Sequence, residues 1–290
     1  KMKIAVICSG GDSPGMNSAL LAIKKTIDSE PDSEVVFFKN GYAGIFKECI
    51  ASVSLKEVEV FKAGTLIGTA RFEKMRDLES RKIIIENLNK MEIDNLIVIG
   101  GNGSLKGAEL LKNESELQVS VIPGTIDNDF PNTDYTLGFD SALNTIIRSI
   151  DDLTSTANAH DRIIIMEVMG RGCFALPEYA SIANNTYWVE RDDKEYLHLI
   201  CKKFESEFYS PILLLPEGIS NKQKIIEFIT KNLPKETKYL NLAYLQRGSS
   251  PTFYDRYIGY LWGQLAAKEL IEGKSGILSQ KNGNIMLIPW

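Results

Sequence analysis

Short apolar runs alternate along this chain with longer segments in which apolar residues recur at helical spacing. The runs predict buried strands at Ile4–Cys8, Glu34–Phe38, Asn95–Ile99, Val119–Ile122, Arg162–Val168, Pro211–Leu215 and Tyr239–Leu245. The periodic segments predict helices at Asn17–Thr26, Ser80–Lys90, Ser104–Leu111, Ser141–Asn158, Lys222–Lys231 and Tyr257–Ile271. In Ser141–Asn158, for example, Leu143, Ile146, Ile147, Ile150 and Leu153 share one helical face. Strands bounded by helices imply parallel βαβ units and an α/β sheet. No internal repeat or low-complexity tract interrupts the pattern.

Ligands of such sheets collect outside the carboxyl ends of the strands. The residues that follow each strand therefore carry the functional reading. They are Ser9-Gly10-Gly11-Asp12, Gly100-Gly101-Asn102-Gly103-Ser104, Pro123-Gly124-Thr125-Ile126-Asp127-Asn128-Asp129, Met169-Gly170-Arg171, Pro216-Glu217-Gly218 and Gln246-Arg247-Gly248-Ser249. Packing alone does not ask for glycines, carboxylates and arginines at one end of the strands.

The two glycine-rich turns each join a strand to a helix, where free N–H groups and the helix dipole favour an anion. Each also has a plain reading as tight-turn chemistry. Neither is a Walker A loop, and Gly107 falls at the wrong spacing for a dinucleotide fingerprint. Asp127 and Asp129 lie two residues apart, so an extended backbone would point both to one side. A carboxylate pair beside glycine loops suits a magnesium ion and a base for a substrate hydroxyl. The competing reading is an Asx-turn. Arg71, Arg76, Arg162, Arg171 and Arg247 add forks suited to more than one phosphate.

Composition narrows the classes. The 290 residues carry a net charge of −5, which argues against nucleic acid or an anionic membrane as a partner. No apolar run approaches a membrane span, and Lys1-Met2-Lys3 opens no signal-peptide pattern. Four separated cysteines (Cys8, Cys49, Cys173, Cys201) form no CxxC pair, so a reduced cytoplasmic setting is expected. Only His160 and His198 are present, which disfavours zinc or a histidine-based triad.

Taken together, SGGDSPGMN at Ser9–Asn17, GTARF at Gly68–Phe72, IGGNGS at Ile99–Ser104, PGTIDND at Pro123–Asp129, EVMGR at Glu167–Arg171 and LQRGSSP at Leu245–Pro251 resemble the 6-phosphofructokinase family. The motifs run in order from about Lys3 to Ile271. The resemblance implies two Rossmann-like α/β domains with mostly parallel sheets and a cleft between them. Residues 1–138 with 252–273 would bind nucleotide, 139–251 would bind sugar phosphate, and 274–290 would be a C-terminal tail. It implies ATP-dependent, magnesium-assisted phosphorylation of fructose 6-phosphate at its 1-hydroxyl, in a cytoplasmic homotetramer. By the same resemblance Asp127 is the base, Thr125 positions the moving phosphoryl group, Asp129 supports the metal and Arg171 stabilises the developing charge. Gly11, Arg71, Phe72, Gly101, Asn102, Gly103 and Ser104 would hold ATP and then ADP. Met169, Gly170 and Glu217 would contact the sugar, with Thr125, Asp127 and Arg171. Arg162, Lys238, Tyr244 and Arg247 would grip the 6-phosphate, Arg162 and Lys238 reaching in from the adjacent subunit. Glycine at 103 and 124, where pyrophosphate users carry Asp and Lys, favours ATP as donor.

The chain departs from the family at several of these places. Asn102 stands where an aspartate helps hold magnesium, keeping the shape without the charge. Lys238 replaces an arginine, Tyr244 a histidine and Ser249 a glycine. The Gly172–Glu195 stretch is shorter than in the family, and the chain stops at Trp290, ahead of the family's final helices. Leu21 replaces an arginine of the effector pocket, which argues against effector control. Two alternatives therefore stay open: a catalytically weakened regulatory paralogue that binds sugar phosphate or nucleotide, and a kinase for a related sugar or nucleoside.

Overall fold

A computed structural model describes residues 1–206 and 210–290. The chain divides into two compact units, Lys1–Asp140 with Arg247–Trp290, and Ser141–Gln246.

The first unit begins with β1 (Met2–Ser9), α1 (Met16–Asp28), β2 (Ser33–Phe38), α2 (Tyr42–Phe46) and β3 (Ile50–Ala51). It continues through α3 (Leu78–Lys90), β4 (Asn95–Gly100), α4 (Asn102–Glu114) and β5 (Gln118–Pro123). Helix α5 (Phe139–Ala159) leads into the second unit. That unit holds β6 (Arg162–Val168), α6 (Ala175–Asn184), β7 (Tyr187–Trp188), α7 (Lys194–Ser206), β8 (Ile212–Pro216), α8 (Lys222–Asn232) and β9 (Glu236–Asn241). The short α9 (Leu245–Gly248) leads back to α10 (Phe253–Ile271), β10 (Gly276–Lys281) and β11 (Asn284–Pro289).

The first sheet has seven strands in the order β11-β10-β5-β4-β1-β2-β3. It is parallel except for the β2–β3 and β10–β11 pairs. Every residue of β4 is buried, and so are the last six of β1 and the last five of β5. Continuous apolar runs are what parallel strands covered on both faces require. Helices α1 and α10 lie close together on this unit. A β-carbon at Gly263 would overlap the Ala19 carbonyl oxygen, and one at Gly259 would lie 2.7 Å from that of Gly15. The second sheet is four parallel strands in the order β7-β8-β6-β9. Its core joins Ile163, Ile165, Leu213 and Leu215 to Leu197, Ile200 and Ile225 of the covering helices. Both units are Rossmann-like.

Three segments differ from the sequence reading. Residues 274–290, expected as a tail, form the β10–β11 hairpin at one edge of the large sheet. Asn282 and Gly283, at φ +50° and +80°, supply the left-handed turn such hairpins need. Trp290 then donates its indole N–H to the Val119 carbonyl at 2.7 Å, and buried Trp262 donates to that of Ser279 at 3.4 Å. The last strand of the small sheet runs over Glu236–Asn241 instead of Tyr239–Leu245. Ala243 at φ +46° turns the chain, so Leu245 opens α9 instead of ending a strand. Helices α6 and α7, which the sequence reading did not include, fill 175–206. Among the described residues no helix is long and apolar enough to cross a membrane.

Candidate active site

In the first unit three strands end side by side, and their loops are hydrogen-bonded to one another. After β1, Gly10 and Gly15 take φ of +85° and +101°, so the turn into α1 needs glycine at both points. The Gly10 N–H donates to the Ala70 carbonyl at 3.1 Å, and Thr69 Oγ1 donates to the Gly10 carbonyl at 3.0 Å. These bonds bring the Arg71-Phe72 segment to the first glycine turn. The Phe72 ring packs on Phe46 at 5.3 Å between centroids, while Arg71 is exposed. Asn17, which the sequence gives no reason to single out, is buried in the first turn of α1. Its Oδ1 accepts the Leu66 N–H at 2.8 Å and holds the same segment from below.

After β4, Gly101 caps α4 without a side-chain hydrogen bond. The first-turn N–H groups of a helix have no partner within it and carry the positive end of its dipole. In α4 these belong to Asn102, Gly103 and Ser104. The Ser104 side chain is otherwise occupied. It is buried, and its Oγ donates to the Ser9 carbonyl at 3.0 Å, tying the second glycine turn to the first. What Ser104 can offer an anion is its backbone N–H.

The acidic loop after β5 is where the geometry corrects the sequence. The ladder continues to Gly124, whose N–H donates to the Gly100 carbonyl at 2.9 Å. The chain then turns at Ile126 and Asp127 instead of staying extended. Thr125 Oγ1 accepts the Asp127 N–H at 3.2 Å, and Asn128 adopts φ +52°. The alternation that would have aligned Asp127 with Asp129 is therefore absent. Asp127 is half-buried and Asp129 exposed. Thr136 Oγ1 donates to the Thr125 carbonyl at 2.6 Å and braces the turn. Buried Asp255 accepts from Tyr135 Oη at 2.6 Å and from the Gly138 N–H at 2.7 Å, anchoring the chain beyond it. Burial, with the Asp255 carboxylate next in weight, pushes the Tyr135 phenol well above its ordinary range. Asn102 Nδ2 donates to the Asp129 carbonyl at 3.1 Å, so the start of α4 and the acidic turn form one constellation.

Arg247 belongs to this unit as well. Its Nη1 lies 3.8 Å from Asp12 Oδ1, and a β-carbon on Gly11 would come within 2.9 Å of that nitrogen. Gly11 therefore leaves room for a guanidinium at the first turn.

In the second unit the loops after β6, β8 and β9 are joined in the same way. Gly170 takes φ +131°, and the Gly218 N–H donates to its carbonyl at 3.0 Å. Arg171 Nη2 donates to Glu217 Oε1 at 2.9 Å. The Met169 N–H donates to Gln246 Oε1 at 2.9 Å, linking the β6 loop to the segment that carries the exposed Tyr244. Beneath them Glu167, on β6, is buried and paired with Lys222 Nζ at 2.6 Å, and it also accepts from Tyr239 Oη. Burial, then that bond, pushes the Tyr239 phenol up to about 12. Arg162 and Lys238 stand on neighbouring strands and share Glu236, with Lys238 Nζ at 2.6 Å. Those two cations, Lys238 first, hold the Glu236 carboxyl below its ordinary range.

The expected residues thus fall into two constellations. Gly11, Arg71, Phe72, Gly101–Ser104, Thr125, Asp127, Asp129 and Arg247 belong to the first unit. Arg162, Met169–Arg171, Glu217, Lys238 and Tyr244 belong to the second. Among the described residues no three His, Cys, Asp or Glu side chains gather as a metal cage. Asp127, Asp129 and the Asn102 side-chain carbonyl are the oxygen donors that this turn and the α4 start carry. Magnesium bound through one or two carboxylates plus phosphate oxygens and water asks for no more than that.

Comparison with known proteins accounts for the arrangement. An ATP-dependent 6-phosphofructokinase of Thermoanaerobacter sp. (strain X514) is 37% identical across 98% of this chain and 91% of its own length. One from Staphylococcus carnosus (strain TM300) is 38% identical across 95% of this chain and 88% of its own length. The crystal structure of Pichia pastoris phosphofructokinase in the T-state superposes with a TM-score of 0.91 at 28% identity. It covers all of this chain, which spans only 35% of the Pichia chain. A family profile described as Phosphofructokinase matches residues 3–270, and on that match the chain belongs to the phosphofructokinase family.

Proposed function

We propose that this protein transfers the γ-phosphoryl group of ATP to the 1-hydroxyl of fructose 6-phosphate. The reading rests on one observation above the others: the hydrogen bond from Asn102 to the Asp129 carbonyl, which unites an anion-binding helix start with an acidic turn. Phosphoryl transfer needs little covalent chemistry from a protein. It needs phosphates held in line, a base at the attacking hydroxyl, and positive charge where negative charge develops. The N–H groups of Asn102, Gly103 and Ser104, with Arg71 and the Gly11 turn, receive the nucleotide phosphates. Asp127 accepts the proton of the 1-hydroxyl, and Thr125 orients the group in flight. Arg171, steadied by Glu217, meets charge on the transferred phosphoryl oxygens. Magnesium, when bound, neutralises charge on the β- and γ-phosphates. Asp129 and the Asn102 carbonyl oxygen are the groups that would face it or its water. Met169, Gly170, Glu217, Tyr244 and Arg247 take the sugar phosphate. Arg162 and Lys238 serve the site of a neighbouring copy in a homo-oligomer.

The test is a coupled assay of ADP release. Release that requires both fructose 6-phosphate and magnesium is expected, and background rates with both present refute the proposal. Asp127→Ser removes the base without touching the glycine turns. It lowers kcat by about 10²–10⁴, while the dissociation constant of ATP measured by calorimetry stays within about twofold.

A further inference from the structure

The substrate loops of the second unit meet at a side chain that carries no charge and touches no solvent. Gln246 is fully buried, yet both ends of its amide are satisfied. Its Oε1 accepts the Met169 N–H at 2.9 Å, and its Nε2 donates to the Ala243 carbonyl at 2.9 Å. The first partner opens the Met169-Gly170-Arg171 loop after β6. The second precedes Tyr244 by one residue.

Each partner is otherwise placed by strained or crowded backbone. Ala243 sits at φ +46°, a conformation costly for a residue with a β-carbon, and its N–H is claimed by Asn241 Oδ1 at 2.7 Å. Gly170 sits at φ +131° with room for no side chain, since a β-carbon there would lie 2.7 Å from the Cys173 carbonyl oxygen. A β-carbon on Gly218 would overlap the Arg171 carbonyl oxygen and lie 2.7 Å from that of Gly170. The β6 loop is therefore hemmed in on the β8 side by main chain. On the β9 side the Gln246 amide links to the loop through the Met169 N–H.

We infer that Gln246 is a positioning residue: its amide sets the spacing between the Met169–Arg171 loop and the loop bearing Tyr244, and so sets affinity for the sugar phosphate. The inference rests on the function proposed above. It separates Gln246 from a packing residue by donor and acceptor polarity. Burial alone needs only volume, whereas this spacing needs an acceptor toward Met169 and a donor toward Ala243. An ionised carboxylate of the same shape keeps the first and turns the second into two oxygens facing each other. A protonated carboxyl restores both.

Steady-state kinetics of the full chain, with Gln246→Glu and Gln246→Met, read this directly. At about pH 8 Gln246→Glu is expected to raise KM for fructose 6-phosphate about tenfold relative to wild type. KM for ATP stays within about twofold. At about pH 6 the ratio to wild type shrinks, because a buried carboxyl binds its proton more readily. Gln246→Met keeps the full loss at both pH values. A KM ratio for Gln246→Glu that does not move with pH, or equal rises in both KM values, overturns the inference.

Hydrogen exchange gives a second reading that needs no turnover. The Met169 amide of the wild type is expected to be strongly protected. It should exchange at least about tenfold faster in Gln246→Met, with the β8 amides unchanged. An unprotected Met169 amide in the wild type, or equal exchange in both proteins, also overturns it. If the wild type releases no ADP on addition of fructose 6-phosphate, the proposed function fails while the exchange experiment still decides the role of Gln246.

Discussion

Replacing Asn102 by Asp tests the electrostatics of the site at its weakest point. Asn102 Nδ2 donates to the Asp129 carbonyl at 3.1 Å. In Asn102→Asp an oxygen takes the place of that nitrogen, so a donor–acceptor pair becomes two acceptors in contact. Loss of the bond costs about 1 kcal/mol before any repulsion. Against that, a carboxylate about 4 Å from a divalent cation gains about 2 kcal/mol at the dielectric of water, twice the figure for unit charges. The exposure of Asp129 makes the aqueous value the appropriate one. The bond is missing from the metal-free and the metal-bound variant alike, so its loss lowers stability in both, and the whole gain of about 2 kcal/mol, about a thirtyfold change in an equilibrium constant, goes to metal affinity. Asn102→Asp should therefore melt at a lower temperature than wild type in EDTA and recover that loss in magnesium. Its half-saturating magnesium concentration, measured at fixed ATP and fructose 6-phosphate, should fall about thirtyfold. An unchanged or higher half-saturation value refutes the reasoning, because it would mean that position 102 does not face the cation.

Two further expectations follow from the same geometry. Gly100→Ala and Gly103→Ala should part company: a β-carbon at Gly100 would overlap Ser104 Oγ and lie 2.5 Å from the Ser9 carbonyl oxygen, whereas one at Gly103 meets nothing within 4 Å. The first is expected to lose about 1–3 kcal/mol in urea denaturation, the second to keep or slightly raise stability while KM for ATP rises severalfold; equal stabilities would show that the Gly100 contact is relieved by a shift of the turn. Glu236 is held ionised by Lys238 first and Arg162 second, so its lowered pKa supplies stability that is complete above the ordinary glutamate range and is lost as pH falls through the folded value. The urea midpoint of Glu236→Gln should lie below wild type at neutral pH and converge with it in acid; a gap independent of pH would assign the effect to packing.

Much of the fold was legible because parallel strands buried on both faces must be apolar throughout, and β1, β4 and β5 show this directly in the chain. The loops that follow them were legible for the complementary reason, since polar and glycine residues at strand ends have no packing explanation. The hairpin at 276–289 carried its own signal in Asn282-Gly283 between two β-rich runs. That signal is a local one and names no partner strand; the pairing with β5 is a tertiary contact. The turn at Asp127 was harder. Thr125, Asp127 and Asn128 each admit an extended or a turned backbone, and the choice is made by Thr136 and Asp255 from outside the motif. Arg247 beside Gly11 and Gln246 beside Met169 are not local at all. A buried amide and an exposed one are the same letter in a sequence.

Glycine and serine identities in the phosphate turns are easily read as ligand contacts, yet they divide by what a side chain would meet. Gly100 is required by the crossing of Ser104 and Ser9, and the Ser104 hydroxyl is spent on that crossing. Packing alone then accounts for both side-chain positions. A β-carbon at Gly103 would meet nothing within 4 Å, so packing does not require glycine there. In these turns side-chain identities hold the main chain in place, as the Ser104 bond to Ser9 shows. Asn102 does so as well. Its amide fixes the acidic turn from one end and its carbonyl oxygen remains for the site. That is why a single nitrogen-to-oxygen exchange there should trade stability of the empty turn for affinity toward a cation.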